Sequence, residues 1–181
     1  MLKLKRIVTL APFIRLTFTQ MNVSDYNSCV DQYSDGLYRF MLKNTKDKDL
    51  AKDLVQDAFE KLWRRLNDVD AQKAKSYLFT TAYHAFIDHT RKQKFKGDYT
   101  EVVEANHGYT TNSNNLKEVI NMALEKLPEI QRSVIMLRDY EGYDYNEIGE
   151  ITGLSESQVK VYIFRARQTL KNYLVKLDTI L

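Results

Sequence analysis

The sequence predicts an all-α protein built as two small helical units joined by a flexible acidic linker, with a helix-turn-helix in the second unit. Three observations carry this. Only six glycines and two prolines occur in 181 residues, and no long alternating run of β-branched residues offers a strand. Apolar residues recur instead at spacings of three and four, the period of a helix with one buried face. Between residues 97 and 115 that pattern stops: GDYTEVVEANHGYTTNSNN holds Asp98, Glu101 and Glu104 but no Lys or Arg, and its Gly, Thr, Asn and Ser content suits a tether. The units so divided are 21–96 and 116–181, with 1–20 as an N-terminal extension.

Lys3, Lys5 and Arg6 precede the apolar stretch from Ile7 to Phe18, an arrangement superficially like a signal peptide. Pro12 and Arg15 interrupt it and no small-x-small cleavage pattern follows, so export is not expected. The segment reads as a loosely attached arm, or as lying upstream of a translation start at Met21.

In the first unit Val30, Tyr33, Leu37, Tyr38 and Met41 give a helix over Cys29 to Met41, with Gly36 as its weak point. The next helix is the clearest in the chain: Leu50, Leu54, Val55, Ala58, Phe59, Leu62, Trp63 and Leu66 form a continuous apolar stripe. Its other face carries Asp49, Asp53, Gln56, Asp57 and Glu60, which suits a basic partner helix. Taken alone, that row fits equally a solvated face balanced by Lys52, Lys61, Arg64 and Arg65. Asn67 to Lys73 is polar and predicts a loop. From Ala74 to about Lys94 a helix bears Tyr77, Phe79, Tyr83 and Phe86 on more than one side and ends in Arg91, Lys92, Lys94 and Lys96. Aromatics interleaved with cations suit unpaired bases, which stack on rings and need counter-charges; core packing accounts for some of the same rings.

In the second unit Leu116, Val119, Ile120, Ala123, Leu124 and Leu127 form an amphipathic helix that Pro128 closes, while the same Pro can open the next helix at its first position. Glu129 to Glu141 follows with Ile130, Val134, Ile135 and Leu137 inward and Gly142 at its end. Asp144 with Glu147 starts a short helix that Gly153 stops, and Ser155 with Gln158 matches the S-x-x-Q capping box of a last helix. There Val159, Tyr162, Ile163, Ala166, Leu170 and Tyr173 share a buried stripe, while Lys160, Arg165, Arg167 and Lys171 stand against Glu156. Two short helices around a glycine turn, the second one cationic, are how a helix is presented to a major groove.

The net charge of +3 is slight, so nucleic-acid binding has to come from such local clusters. One cysteine, Cys29, excludes an intramolecular disulfide and reads as a small buried apolar residue. No apolar run reaches membrane-spanning length. His84 and His89 stand about 140° apart around a helix, which spoils a shared metal site. No Gly-rich phosphate loop, C-x-x-C or nucleophile elbow occurs, so no catalytic group, metal or cofactor is expected.

These segments together resemble the bacterial sigma factors, in particular their small extracytoplasmic-function group, over about Tyr26 to Leu174. DLAKDLVQDAFEKLW and SYLFTTAYHAFIDHTRKQK are similar to that family's second conserved region, and LPEIQRSVIMLRDYEGYDYNEIGEITGLSESQVKVYIFRARQTL to its fourth. The resemblance implies a cytoplasmic transcription-initiation factor whose partners are core RNA polymerase, promoter DNA and an anti-sigma factor, often membrane-anchored. It implies that Asp53, Gln56, Asp57 and Glu60 dock on the polymerase. It implies capture of a flipped minus-ten base by the loop Asn67 to Lys73, with Tyr77, His84, Asp88, Arg91 and Lys92 on the same element of the promoter. Ser157, Gln158, Lys160, Val161, Phe164 and Arg165 would read the minus-thirty-five element, with Arg167 on phosphate. The chain departs from the family pattern at Tyr77 (usually Trp), His84 (commonly Asn), Gly149 (usually Ala) and Val161-Tyr162 (frequently Ser-Arg), which touches promoter choice more than fold. A competing reading, a helix-turn-helix regulator that binds operators as a dimer without polymerase, leaves the acidic row unexplained. A protein-interaction module with an incidental basic face is a more distant one.

Overall fold

The computed structural model describes residues 20–96 and 115–178, and the readings made for the N-terminal arm and the linker lie outside them. The described chain forms seven α-helices and no strand beyond an isolated Gln20–Asp70 bridge. Helix α1 spans Val23–Thr45 and α2 spans Lys48–Arg64. The apolar spacing predicts only the middle of α1; the helix starts earlier because Asn22 and Asp25 cap one another reciprocally at 3.0 and 2.9 Å. It ends at Lys46, whose left-handed backbone (φ 58°) turns the chain into α2, where Asp47 accepts from the amides of Asp49 and Leu50. Leu54, Ala58, Phe59 and Leu62 are buried as the stripe predicts, but Trp63 is 47% exposed. One residue beyond Leu62 is 100° around the helix, so the indole leaves the core and rests against Tyr26 at 5.0 Å between ring centres.

The predicted loop 67–73 ends in a single 3-10 turn, Ala71–Lys73, with Asp70 accepting from the Gln72 amide. Helix α3, Ala74–Lys96, then runs back over α1 and α2. Its rings are more inward than the sequence suggests: Phe79, Tyr83 and Phe86 are buried and only Tyr77 is partly open. Burial and the nearby Glu129 push the Tyr83 hydroxyl up to about 12, so it stays protonated.

The second unit comprises α4 (Asn115–Glu125), α5 (Glu129–Asp139), α6 (Tyr145–Thr152) and α7 (Glu156–Asp178). Pro128 occupies the N-cap of α5 rather than its first helical position. Gly142 and Gly153 both take left-handed backbone, φ 79° and 74°, which only glycine adopts at little cost. Gly149 is needed for a different reason: a Cβ there would stand 2.7 Å from the Leu154 carbonyl oxygen, so the α6–α7 turn lies closer than a methyl group allows.

The two units also pack on one another, α1 against α5 and α3 against α6, a contact that helical spacing does not announce. Arg132, almost fully buried, donates from Nε to the Leu124 carbonyl (3.1 Å), from Nη2 to that of Leu127 (2.9 Å) and from Nη1 to that of Lys43 (3.0 Å). It thereby serves the last turns of both α1 and α4, where carbonyls lack helical partners and the helix dipole favours a cation. Beside it Ser133 Oγ lies 2.7 Å from Asn44 Oδ1, and Asn44 Nδ2 donates to the Phe40 carbonyl (2.8 Å). At the other end Lys75 donates to the Glu141 carbonyl (2.7 Å), pairs with its carboxylate (3.5 Å) and lies 4.6 Å above the Tyr143 ring. Phe79 meets Tyr143 edge-on at 5.6 Å. Gly36 completes the fit: the Glu141 carboxylate would be 3.1 Å from a Cβ at that position. Among the described residues one buried side-chain atom has no hydrogen-bond partner, the Tyr143 hydroxyl.

Two stability measurements check this interface. Arg132→Ala removes three buried hydrogen bonds and lowers the urea-unfolding free energy by about 3 kcal/mol, and Arg132→Lys recovers less than half, because one ammonium cannot span three acceptors. Tyr143→Phe removes an unsatisfied donor while keeping the ring contacts and raises stability by up to about 1 kcal/mol; a loss of that size would show that the hydroxyl has a partner in solution.

Candidate nucleic-acid and polymerase interface

Helix α7 is anchored by Val159, Ile163 and Ala166, all buried. Its start is held by the capping box: the Ser155 amide donates to Gln158 Oε1 (2.9 Å) and the Gln158 amide to Ser155 Oγ (3.3 Å). The Ser155 hydroxyl also reaches Gln158 Oε1 (3.0 Å). With that stripe facing inward, Ser157, Gln158, Lys160, Val161, Phe164, Arg165 and Arg167 are all exposed. A shallow hollow of about 200 Å³ on this face is lined by Ser157, Gln158, Val161, Tyr162 and Arg165. Phe164 is 69% and Val161 45% exposed, unusually open for apolar side chains on an otherwise polar face.

The cations of α7 are not equivalent. Lys160 pairs with Glu156 at 2.5 Å and lies 5.4 Å above the Tyr145 ring, which Arg138 also faces at 4.7 Å. The hydrogen bond that Lys160 donates to the Glu156 carboxylate, and then the charge of that carboxylate, raise the Lys160 pKa and keep the ammonium charged. Arg167 donates to Asp139 at 2.6 Å and so clips α7 to α5. Among the described residues Arg165 has neither constraint, and its guanidinium is exposed on this face.

On α3, Tyr77, His84, Asp88 and Arg91 fall on one stripe, since steps of seven, four and three residues each return to within about 60° of the same direction. His84 and Asp88 are exposed, Tyr77 is half-buried, and Asp88 accepts from Arg91 at 2.9 Å. Lys92 is exposed beside them. His89 lies off the stripe and contacts Gln93 at 2.9 Å.

On α2, Asp53, Gln56, Asp57 and Glu60 are exposed. Arg64 pairs with Glu60 (2.5 Å), and Lys52 reaches only Asp49, at 3.8 Å. Asp53 and Asp57 have no ion pair among the described residues, so the balancing cations in the sequence leave the middle of the row uncompensated. Among the described residues no three His, Cys, Asp or Glu side chains converge to hold a metal ion. No described helix is long and apolar enough to cross a membrane.

The structure thus places the expected residues on three faces of three helices, all of them exposed except the half-buried Tyr77. Lys75, Arg132, Ser133 and Tyr143, which join the units, carried no functional expectation. Their one sequence signal was a polar pair, Arg132-Ser133, running into the inward side of an amphipathic helix.

The model for sigma-70 region 2 matches residues 29–96 and that for sigma-70 region 4 matches residues 117–170. The chain is 35% identical over 144 residues to the ECF RNA polymerase sigma factor SigM of Bacillus subtilis, covering 77% of this chain and 88% of that protein. It is 32% identical over 156 residues to the RNA polymerase sigma factor YlaC of the same organism, covering 80% and 89%. Among solved structures it resembles the sigma factor RpoE of Bartonella quintana in complex with the anti-sigma factor NepR, with a TM-score of 0.70 and 27% identity, covering 84% of this chain and 98% of that one. Two family regions in order on one helical chain, with relatives matched over most of their length, establish that this protein belongs to the sigma-70 family of RNA polymerase sigma factors, in its extracytoplasmic-function group, and is a transcription initiation factor.

Proposed function

We propose that the chain works in the cytoplasm, without catalytic chemistry or a cofactor of its own, by docking the α2 acidic row on core RNA polymerase while α3 and α7 engage two separate promoter elements. Asp53, Gln56, Asp57 and Glu60 form the polymerase contact. The loop before α3, with Tyr77, His84, Asp88, Arg91 and Lys92, serves the minus-ten element. Ser157, Gln158, Lys160, Val161, Phe164 and Arg165 serve the minus-thirty-five element. In this division residues 21–96 and 116–181 are the two working units and 97–115 the tether. The observation that carries the reading is the unpaired Asp53 and Asp57, exposed on the same chain as a base-reading helix. An operator-binding regulator has no use for that row.

Distance adds a requirement. Elements centred near minus ten and minus thirty-five are about 25 base pairs, or about 85 Å, apart at roughly 3.4 Å per pair. A compact body of the described size is about 40 Å across. The packed units therefore part when both elements are held, and the 18 residues between α3 and α4 reach at most about 65 Å when fully extended. All three working faces are exposed before this happens, so either face can make a first contact from the packed form. The solved complex of RpoE with NepR supports adding an anti-sigma protein to the partners; such a partner would act by holding the units together or by covering a face.

Charge reversal separates the polymerase contact from the DNA contact. Asp53→Lys with Asp57→Lys abolishes co-elution with core polymerase and leaves low-salt duplex binding by the full chain unchanged; equal loss of both contradicts the assignment. Arg165→Ala costs about 1 to 3 kcal/mol at a cognate upstream duplex. Lys160→Ala costs less, because Glu156 already holds that ammonium.

A further inference from the structure

Gln158 is the residue of α7 that would ordinarily identify a base. A side-chain amide distinguishes adenine by using both of its ends, the nitrogen donating to N7 and the oxygen accepting from N6. Here the oxygen is committed: Oε1 accepts from the Ser155 amide at 2.9 Å and lies 3.0 Å from the Ser155 hydroxyl. Because the Ser155 amide is a donor, the atom facing it has to be the oxygen. Only Nε2 is left for DNA, and a lone donor is satisfied by N7 of either purine, by O6 of guanine or by O4 of thymine. The capping box has taken away the discriminating half of this side chain.

Val161 shares the hollow with Gln158 and Arg165. It is 45% exposed, carries no polar atom, and being β-branched holds one χ1 rotamer in a helix, so its methyl groups have a fixed position. A donor or acceptor pressed against it loses water and finds no partner. Among the major-groove edges one apolar group exists for it to meet, the C5-methyl of thymine. The unpaired guanidinium of Arg165 beside it brings the duplex to this face.

We infer that Val161 is a specificity-determining residue of this protein, selecting a thymine in the upstream element through its 5-methyl group, with Gln158 contributing a single non-selective donor. The inference rests on the proposed role of α7 as the helix that reads that element.

The test uses the duplex that the full-length protein, with core polymerase, enriches from a randomised pool. Each thymine in its protected upstream segment is replaced singly by uracil, which removes the methyl group and nothing else. At one position the wild type binds about fourfold more weakly, the share of one methyl group, and Val161→Ala, truncated at an exposed site and checked for unchanged melting, binds both duplexes alike. At that position a cytosine·guanine pair is partly rescued by 5-methylcytosine for the wild type and not for the variant. If the enriched duplex binds but no uracil weakens it, or if discrimination survives in Val161→Ala, Val161 is not the determinant and the wider reading of α7 stands. If no duplex is enriched and α7 protects nothing, the reading of α7 fails and the inference falls with it.

Discussion

The Arg132 guanidinium sits where three backbone carbonyls from two helical units converge. Two of those carbonyls belong to the end of α4 and the turn after it, so the same side chain that closes the α4–α5 corner also reaches the last turn of α1. Burial pushes its pKa down while Glu129 and Glu125 oppose the change, and the group remains a cation inside protein. A buried charge with these hydrogen bonds holds its surroundings in one register, because any shift leaves carbonyls without partners. The orientation of α5 follows, and with it that of α6 and α7, which pack on α5. The outward direction of the exposed α7 face thus depends on a contact at the other side of α5.

The interface is not uniformly favourable. Its Arg132 end is satisfied, and its Lys75 end brings an ammonium, a carboxylate and two rings together. At that same end the Tyr143 hydroxyl is buried with no hydrogen-bond partner among the described residues, which costs free energy in the packed form. Burial also raises its pKa far above the ordinary tyrosine range. An interface built this way holds a defined arrangement with one unfavourable burial inside it, which the parting of the units proposed above would relieve.

Most of the fold was legible because helix period, caps and glycines are local signals. The Asp144–Glu147 and Ser155–Gln158 boxes stand where the sequence places them, at 2.7 to 3.3 Å. The exposed acidic and cationic rows were legible too, since the buried stripe of each helix fixes what is left outside. What periodicity cannot show is the fate of a side chain that meets another helix. Trp63 reads as core and leans outward on Tyr26, and Arg167, on the exposed side of α7, is engaged by Asp139 of α5. The contact between the units was invisible for a related reason: Arg132 looks like a solvated cation until a carbonyl 89 residues away is placed beside it.

Read together, an uncompensated acidic row, a one-sided stripe on α3 and an outward face on α7 describe a chain that gives a polymerase two positions on DNA at once. The most direct measurement is transcription from fragmented genomic template by core polymerase with and without the purified protein, followed by mapping of the transcript starts. New starts are expected that appear only with the protein and share two sequence elements about 25 base pairs apart, the span set by about 85 Å of duplex. No protein-dependent start on any fragment, with core polymerase shown to be active, would contradict it.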